Sequence, residues 1–532
     1  MSTSKDALAP RRMGLAALML SMGMLLSRVL GYLREAVIAY QQGASASTDA
    51  YNAAFLLPDL MNYFLAGGAL SITFIPLFGA YLAQQREQDG WRLFSIIASI
   101  MGTVLVLGTV LAELFTEQLL SLLYPGFAPE TLAQTVSMTR IVLPAQLFHY
   151  LGGLLIATLM ARGRFLPATL APLIYNLGII VGGVLLGPWI GMHGFAVGAL
   201  LGAILGPFAV PLWMTRRALH FRPCWDWRDA SFLRYLWLSI PLMLGVSLTT
   251  VDEWFGRIIG ASMEEGTISW LNFARRLNLV PIAVIGQATS QAALPFLARL
   301  AGEGKREELA KVLTRSTHYV LLLALCSTGL VLALAEPMVA LVYERGAFGA
   351  ADTTRTTLIL QLFVLGSAAW GVQMLVARAF YAEQDTWTPM LASTAMTILS
   401  IPVYVGLARS LDAAGLALAS SIGMSAQAVF TLLLYRRRNR SLLLARIWTS
   451  LWRGTMLGVA AGVGASAGLW LLGRLGLGTG SLTRLLELSG GGVLGLLLAL
   501  ALARFIVPSE LSGLLEKLRR RILRKRSAAG AS

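Results

Sequence analysis

Apolar segments of about 20 residues recur along nearly the whole chain, and this pattern limits the folds open to it. A segment of that length is what one helix needs to cross a bilayer. Only 13% of the 532 residues are charged and 56% are hydrophobic, whereas about 25% of residues are charged in soluble proteins. The sequence therefore predicts an all-α polytopic membrane protein without a separate soluble domain.

The charges of the connecting segments indicate how often the chain crosses the membrane. We predict about 14 transmembrane helices. With that number, basic residues fall in every second connection, whereas the alternate connections are neutral or acidic, as in "TEQLLSLLYPGFAPE" and "ASMEEG". Positive residues favour the cytoplasmic side, so both termini are expected in the cytoplasm. The net charge of +16 has the same explanation and does not indicate nucleic acid. The basic connections contain Arg86, Arg92, Arg162, Arg164, Arg216, Arg217, Arg222, Arg228, Lys305, Arg306, Arg436, Arg437, Arg438 and Arg440.

Features of the first half of the sequence recur in the second half at a nearly constant offset. The pattern G-x-A-x-S-x4-P begins at Gly67 and again at Gly286, and Pro167 recurs as Pro389. An even number of spans in each copy gives both copies the same orientation. The repeat therefore predicts two parallel-repeat six-helix lobes around a central cavity, with two extra C-terminal helices, which is an architecture of transporters.

These features divide the chain into four predicted segments. The N-lobe with spans 1–6 covers residues 1–225, and the C-lobe with spans 7–12 covers residues 226–441. Residues 442–508 hold spans 13 and 14, and residues 509–532 form a basic cytoplasmic tail. The tail contains "EKLRRRILRKR", which suits either a basic helix on the inner leaflet or a solvated tail.

Residues that enzymes use for catalysis are scattered in this chain. Cys224 and Cys326 have no spacing typical of a metal site or a disulfide, and the four histidines stand far apart. The chain contains no phosphate-binding loop of the G-x-x-x-x-G-K type. We therefore expect a protein that is not an enzyme and that binds no cofactor.

Charged residues within the predicted spans are the candidate functional residues, because a charge at bilayer depth costs at least a few kcal/mol. In the first span, "SRVLGYLREAVIA" contains Arg28, Arg34 and Glu35. Arg28 and Glu35 are seven residues apart and so share one face of a helix. Arg34 and Glu35 could instead extend toward the headgroups at the membrane edge. The second span adds Asp49 and Asp59.

The seventh and eighth spans add Asp252, Glu253, Arg257, Arg275 and Arg276. Two interpretations remain open for these side chains. They could pair with one another as structural ion pairs. Alternatively, spans 1, 2, 7 and 8 line a cationic, water-filled cavity that binds an anionic headgroup, since the planar guanidinium of arginine donates two hydrogen bonds to one phosphate.

The chain resembles one known family over almost its whole length, and three stretches carry the resemblance. "SRVLGYLREAVIA" with the following "TDAYNAAFLLPDLMN", the eighth-span run "GTISWLNFARRLNLVPIAVIG" and "YAEQDTWTP" are similar to the MurJ/MviN family of lipid II flippases, in the MOP exporter superfamily. The resemblance implies that the chain moves lipid II, a lipid-linked peptidoglycan precursor, from the inner to the outer leaflet. It implies alternating access and a location in the bacterial cytoplasmic (inner) membrane.

The resemblance also implies roles for particular residues. Spans 13 and 14 would form a groove for the lipid tail. Coupling to the membrane potential or to a cation stays open. By position, the residues implied to bind substrate or line its cavity are Arg28, Arg34, Arg276, Glu35, Asp49, Asp59 and Ser269, and Arg275 adjoins them.

The chain departs from the family pattern in the second span. Asn62 and Tyr63 stand where many members have two arginines, and Gly67 stands where a glutamate is found. A different undecaprenyl-pyrophosphate-linked oligosaccharide therefore stays open as the substrate. Asp252 and Asp385 would suit the sodium site of some members, although a family asparagine there is replaced by Tyr381.

The expected partners are a lipid-linked anionic substrate and membrane lipids, and nucleic acid is not expected. A monomer is compatible with the sequence, which does not determine the oligomeric state. An alternative from another functional class is a cell-envelope scaffold protein that transports nothing. Buried arginines would serve no purpose in such a scaffold.

Overall fold

The structure is a computed structural model that describes residues 3–66, 73–244, 248–475 and 480–508. Every regular element within these ranges is helical. The predicted cytoplasmic tail at residues 509–532 lies outside the described residues, as do Gly67 and most of the first copy of the repeated motif.

The chain divides into two compact units, each described here by itself. The first unit contains Met1–Phe273 and Tyr343–Asp352, and the second contains Ala274–Val342 and Thr353–Ser532. The four segments expected from the sequence stay a prediction. The helices that begin in the first unit are α1 (Thr3–Gln42), α2 (Ala46–Ala54), α3 (Leu56–Ala66), α4 (Ile75–Ala83), α5 (Glu87–Leu114), α6 (Thr116–Leu123), α7 (Pro129–Val142), α8 (Ala145–Ala161), α9 (Leu166–Ile190), α10 (His193–Ala203), α11 (Val210–Thr215), α12 (Ala230–Leu244), α13 (Leu248–Gly260) and α14 (Thr267–Pro281). Those that begin in the second unit are α15 (Ala288–Gly302), α16 (Arg306–Tyr343), α18 (Ser367–Ala382), α19 (Trp387–Arg438), α20 (Leu444–Gly473) and α21 (Ser481–Ile506). One more helix, α17 (Ala350–Val364), begins in the first unit's segment Tyr343–Asp352 and continues into the second unit.

Within the described ranges, nine helical segments are long and apolar enough to cross a membrane. A tenth is formed if α17 and α18, which meet at a bend of 42°, are taken together. This number is below the predicted 14 or so, so the helix class is confirmed and the count is not. The nine segments are Glu87–Leu114, Pro129–Ala161, Leu166–Ile190, His193–Thr215, Thr267–Gly302, Arg306–Tyr343, Trp387–Arg438, Leu444–Gly473 and Ser481–Ile506.

Part of the difference comes from α19, which contains two predicted spans, near residues 386–408 and 412–435. Its 52 residues would extend about 78 Å as a straight helix, far more than the roughly 40–45 Å of a whole bilayer. Asp412 interrupts the helix with φ 50° and ψ −133°. Because the chain turns at this one residue, α19 consists of two helices, each long enough for one crossing.

Two further predicted spans are divided in the structure. The second predicted span is distributed over α2, α3 and α4, and the seventh over α12 and α13. Pro58 and Asp59 lie in the first turn of α3, where a helix most easily accepts a proline and an acidic side chain.

The predicted repeat is also visible in the backbone. Gly191 has φ 57° and ψ −136°, nearly the angles of Asp412, and the two residues are separated by almost the same stretch of chain as Pro167 and Pro389. A positive φ is uncommon outside glycine, so its recurrence at a nearly constant offset is informative. The other pairs of positive φ with a similar separation are Gly43 with Gly266, Gln85 with Gly304, and Gly163 with Gln384.

Each unit has its own apolar core, and apolar side chains also cover its outside. In the first unit, Phe78, Trp91 and Phe94 meet edge to face, with ring centroids 5.3–5.5 Å apart. Outward-facing residues include Trp189 and Phe505, which are 88% and 83% exposed. Such surfaces suit a lipid environment, since a soluble protein rarely leaves large contiguous apolar patches exposed.

Candidate functional site

Arg34 and Glu35 lie in the second half of α1 and face the interior of the first unit. Arg34 Nη2 donates to Glu35 Oε1 at 2.5 Å, and Arg34 Nη1 donates to Asn176 Oδ1 of α9 at 3.2 Å. Glu35 is only 2% exposed. Both charges are thus held within the protein, where pairing offsets the cost of taking them out of water.

A chain of amide side chains continues from Glu35 to α2 and α14. Asn272 Nδ2 lies 3.1 Å from Glu35 Oε2 and 3.3 Å from Asn52 Oδ1, so its two hydrogens can be shared between them. Asn52 Nδ2 in turn donates to Ser269 Oγ at 3.4 Å. A side-chain amide suits this position because it both donates and accepts.

Asp49 completes this arrangement at the beginning of α14. Asp49 Oδ1 accepts from the backbone N–H of Ser269 at 2.8 Å and from Ser269 Oγ at 2.6 Å, and Asp49 Oδ2 accepts from the N–H of Gly266 at 2.7 Å. A carboxylate is favoured there because the first N–H groups of a helix are otherwise unsatisfied and carry partial positive charge. We call the connected set the polar network; it consists of Arg34, Glu35, Asp49, Asn52, Asn176, Ser269 and Asn272.

The backbone around Gly266 requires glycine for two reasons. Its φ of +91° is one that other residues rarely adopt, and an added Cβ would lie 2.8 Å from the carbonyl oxygen of Ala44. The close approach brings the start of α14 against the segment between α1 and α2. Asp49 can therefore reach the first turn of α14 with its short side chain.

The segment Tyr343–Asp352 covers the same end of the first unit. The N–H of Ala347 donates to the carbonyl oxygen of Tyr40 at 2.9 Å, and Trp270 Nε1 donates to Asp352 Oδ1 at 2.9 Å. Tyr343 and Phe273 pack with ring centroids 4.9 Å apart. The segment thus packs against the end of α1 and the first two turns of α14.

A second charged cluster joins α3 and α13. Arg257 Nη1 donates to Asp59 Oδ2 and Arg257 Nη2 donates to Glu253 Oε1, each at 2.7 Å. Arg257 is 8% exposed, so it is paired where it is buried. Close by on the same two helices, Tyr63 meets Trp254 edge to face at 5.4 Å. An aromatic contact thus occupies a position that the family resemblance associates with arginine.

The remaining predicted arginines differ from Arg34 in their surroundings. Arg28 is exposed, about 9 Å before Arg34 along α1. Between them, a Cβ added at Gly31 would meet no atom within 4 Å. Arg275 and Arg276 belong to the second unit and are half-buried, and the Arg275 guanidinium lies 5.2 Å from the centroid of the Phe363 ring.

The described residues contain no group of three or more His, Cys, Asp or Glu side chains that could hold a metal ion. Asp252 is buried in α13, at 3% exposure. Asp385 accepts from the N–H and the hydroxyl of Thr388 at 2.9 and 2.7 Å and pairs with Arg438. Burial alone would raise the pKa of Asp385, but these hydrogen bonds and the Arg438 charge bring it below its ordinary value. The contacts make Asp385 part of the α18–α19 connection, and a sodium site at either residue stays a prediction.

The polar network includes four of the eight predicted binding residues, namely Arg34, Glu35, Asp49 and Ser269. It holds one cation and two carboxylates, so within the network the charge is not the cationic one expected of the cavity. Arg257, with Asp59 and Glu253, shows the ion pairing that the sequence left open. Headgroup binding by the predicted arginines stays a prediction.

Sequence reasoning missed the three asparagines of the network. Asn52 and Asn272 stand at the offset of the repeat, which is also the separation of Asp49 and Ser269 to within a residue. Equivalent positions of the two copies thus hydrogen-bond to each other. An amide recurring at this offset is the signal that could have identified Asn52 and Asn272, whereas Asn176 has no such counterpart.

Comparisons with known proteins agree with this architecture. Residues 38–486 match the family described as "Lipid II flippase MurJ". A "Probable lipid II flippase MurJ" of Rhizobium tropici is 29% identical over 522 residues, covering 94% of this chain and 95% of that protein. A protein of the same description from Rhizobium meliloti (strain 1021) is 30% identical over 424 residues, covering 77% of this chain and 78% of its own length.

Solved structures share the fold. A lipid II flippase MurJ in an inward closed conformation has a TM-score of 0.76 at 20% identity, covering 92% of this chain and 100% of that chain. An inward-facing multidrug resistance MATE family transporter of the MOP superfamily has a TM-score of 0.63 at 16% identity, covering 80% and 98%. The helical architecture, its membrane-spanning segments and the extent of the family match lead to one conclusion: this chain is a multi-pass membrane protein that belongs to the MurJ family of lipid II flippases.

Proposed function

We propose that this protein moves lipid II from the inner to the outer leaflet of the bacterial cytoplasmic membrane by alternating access, without catalysing a reaction. The observation that carries the proposal is the polar network. It joins residues before and after position 225, the predicted boundary between the lobes, through Glu35 with Asn272 and Asp49 with Ser269. The connections at this end are those that the loop charges predict to be non-cytoplasmic.

The network can act as a closure on that side. Hydrogen bonds to charged groups contribute about 1.5–3 kcal/mol each, so the three bonds of Asp49 favour the closed arrangement substantially. Substrate can open it only by binding the open state better than the closed one. A pyrophosphate that takes hydrogen bonds from Arg34 would compete with Glu35 and Asn176 and thereby loosen the network.

Arg28 is suited to first contact with the headgroup. It is exposed, and the space over Gly31 leads along the helix from Arg28 to Arg34. Arg34 also has a buried Nε–H that finds no acceptor within the described residues. An unsatisfied buried donor costs about 1–3 kcal/mol, which a phosphate oxygen would recover.

The membrane potential would assist outward movement of an anionic headgroup. Each charge that crosses gains about 2.3 kcal/mol per 100 mV, so two charges gain roughly 4–5 kcal/mol at that potential. Counter-charges that move with the substrate reduce this figure. The proposal therefore predicts faster export when the inside is negative.

Complementation tests the proposal in cells. A host depleted of its own lipid II flippase receives this gene, or its Arg28→Ala or Arg28→Lys variant, at equal protein levels. The wild type should restore growth and lipid II export, Arg28→Ala should fail, and Arg28→Lys should restore little because lysine lacks the planar fork. Arg453→Ala, which removes an exposed arginine of α20, is the matched control. Full complementation by Arg28→Ala would contradict the proposal and favour the scaffold alternative.

The same cells distinguish between substrates. If lipid II is the substrate, it should accumulate on the inner leaflet in cells that carry the inactive Arg28→Ala variant. If this protein instead moves another undecaprenyl-pyrophosphate-linked oligosaccharide, the wild type will leave lipid II unexported and restore export of that glycan in a host deprived of the corresponding flippase.

A further inference from the structure

The segment 216–229, which connects α11 to α12, lies along α5 and is called the strap here. Its residues 219–226 form neither helix nor turn. Three α5 hydroxyls spaced four residues apart, and therefore on one helix face, accept hydrogen bonds from it. The pairs are Arg222 N–H to Ser95 Oγ at 3.1 Å, Cys224 N–H to Ser99 Oγ at 3.0 Å and Trp225 Nε1–H to Thr103 Oγ1 at 3.1 Å.

The strap runs along α5, a helix long and apolar enough to cross a membrane, from near its beginning toward its middle. Ser95 and Thr103 are separated by about 12 Å along the helix. Arg92, near the beginning of α5, holds the returning chain through Asp226 at 3.1 Å. The strap thus reaches the depth of the interface and its aromatic side chains remain exposed: Phe221 is 46% and Trp225 is 61% exposed. Tryptophan is typical of this depth.

The strap closes one side of a cavity of about 520 Å³, whose other walls are α5, α8 and α11. Every second strap residue faces it, namely Leu219, Phe221, Pro223 and Trp225, as expected of an extended chain. Gly102 and Leu151 contribute from α5 and α8. The volume lies within the range of about 300–1,000 Å³ found for ligand pockets, and its lining is almost wholly apolar. An acyl chain fits this chemistry.

Exposed arginines lie at the beginning of the strap and between its cavity-lining residues. Arg216, Arg217 and Arg222 are exposed, and none forms an ion pair with another described residue. The Arg216 guanidinium lies 4.8 Å from the centroid of the Trp213 ring, an arrangement that leaves its edge donors available. Basic pockets between helices on the cytoplasmic side are a recognised form of lipid-headgroup site.

We propose that the strap cavity is a binding site for one anionic phospholipid of the inner leaflet, with an acyl chain under the strap and the phosphate on Arg216, Arg217 and Arg222. The site lies wholly within the first unit and does not depend on which substrate the protein moves. Each arginine near the membrane surface increases the affinity for an anionic lipid, relative to a neutral one, by about fivefold. A lipid bound in this way would hold the strap at the membrane surface.

A cavity-filling variant tests the site. A Cβ at Gly102 meets no atom within 4 Å, so Gly102→Leu fills the cavity without a collision at that first carbon. Gly406→Leu is the matched control, because Gly406 is an exposed glycine of α19 whose Cβ also meets nothing within 4 Å. Purified full-length protein is mixed with equal amounts of phosphatidylglycerol, phosphatidylcholine and undecaprenyl phosphate, and native mass spectrometry measures the lipids retained.

The wild type and Gly406→Leu should retain phosphatidylglycerol over phosphatidylcholine, and Gly102→Leu should lose that retention. A triple variant keeps the cavity and should lose the preference for the anionic lipid. It combines Arg216→Gln, Arg217→Gln and Arg222→Gln. Its control is Arg437→Gln with Arg440→Gln and Arg446→Gln, three exposed arginines of the second unit.

Three results would overturn the proposal. One is equal phosphatidylglycerol retention by Gly102→Leu and Gly406→Leu. Another is equal retention of the two phospholipids by the wild type. The third is a loss on Gly102→Leu confined to undecaprenyl phosphate, which would assign the cavity to a prenyl chain.

Discussion

At the scale of single residues, the site depends on side chains that form hydrogen bonds through more than one polar atom. Asp49 shows this most clearly, since its two oxygens satisfy the beginning of α14. The carboxylate has no cation among these contacts, and its charge is balanced by N–H groups and the helix terminus. Removal of the carboxylate should therefore destabilise the closed arrangement.

Asp49→Asn tests this role. The variant keeps one oxygen for Ser269 but turns an amide N–H toward the N–H of Gly266, which leaves two donors facing each other. We expect a loss of about 1–3 kcal/mol in the free energy of unfolding, measured by denaturation of the purified protein. Ser269→Ala keeps the carboxylate and removes one of its three hydrogen bonds, so it should lose less stability than Asp49→Asn. An Asp49→Asn protein as stable as Ser269→Ala would show that the carboxylate does not hold α14.

Part of this site follows from the sequence alone. Arg34 and Glu35 stand out because a charged pair in an apolar helix requires a partner. The asparagines of the network do not stand out in the sequence, because an uncharged amide within a span costs less free energy than a charge does. They are Asn52, Asn176 and Asn272. Their role depends on which helices approach one another, which only the folded structure specifies.

At the scale of helices, the repeat determines where the chain turns. Gly191 and Asp412 make the same sharp corner at equivalent positions of the two copies, although one has a side chain and the other has none. The conformation of Asp412 lies in a region that is essentially restricted to glycine and costs of order 1–3 kcal/mol for other residues. The sequence predicts two spans here, divided near residue 410, but it gives no sign of this backbone conformation at Asp412.

Asp412→Gly should therefore stabilise the protein. We expect a gain of about 1 kcal/mol or more in the free energy of unfolding from relief of the backbone strain, seen as a raised thermal midpoint. The reverse change at the equivalent corner, Gly191→Ala, should lower it. If Asp412→Gly lowers the midpoint, the corner is not strained and the side chain must stabilise it by contacts.

The pair α20–α21 depends on glycine for close approach. A Cβ at Gly468 would lie 2.8 Å from the Cα of Gly491, and one at Gly464 would lie 2.9 Å from the Cα of Gly495. Small residues are what allow helices to pack closely in lipid, where no hydrophobic effect drives them together. The predicted groove for the lipid tail on spans 13 and 14 would be built on this pair.

Gly468→Val tests the helix contact. The added methyl groups collide with the α21 backbone, and overpacking of this kind costs about 1–3 kcal/mol. Gly473→Val is the matched control, since a Cβ at Gly473 meets nothing within 4 Å. Thermal unfolding should separate the two variants by several degrees, and coincident midpoints would mean that α20 and α21 can move apart freely.

At the scale of the whole molecule, membership of the family indicates the task that we propose. The hydropathy of the chain fixes its place in a membrane, and its repeat accounts for paired positions such as Asn52 and Asn272. The number of crossings stays a prediction, because helices that are broken within one predicted span, such as α12 and α13, are not individually long enough to cross a membrane. The identity of the substrate requires the headgroup site to be tested directly.

The most direct test of the central claim is lipid II translocation by the purified protein in sealed vesicles. Access of an added enzyme to the lipid II headgroup would be followed with and without an imposed membrane potential. The account predicts translocation by the wild type, faster when the headgroup moves toward the positive side, and its loss in both Arg28→Ala and Arg34→Ala at equal reconstitution. Translocation by both variants at the wild-type rate, or by the wild type no faster than by protein-free vesicles, would contradict it.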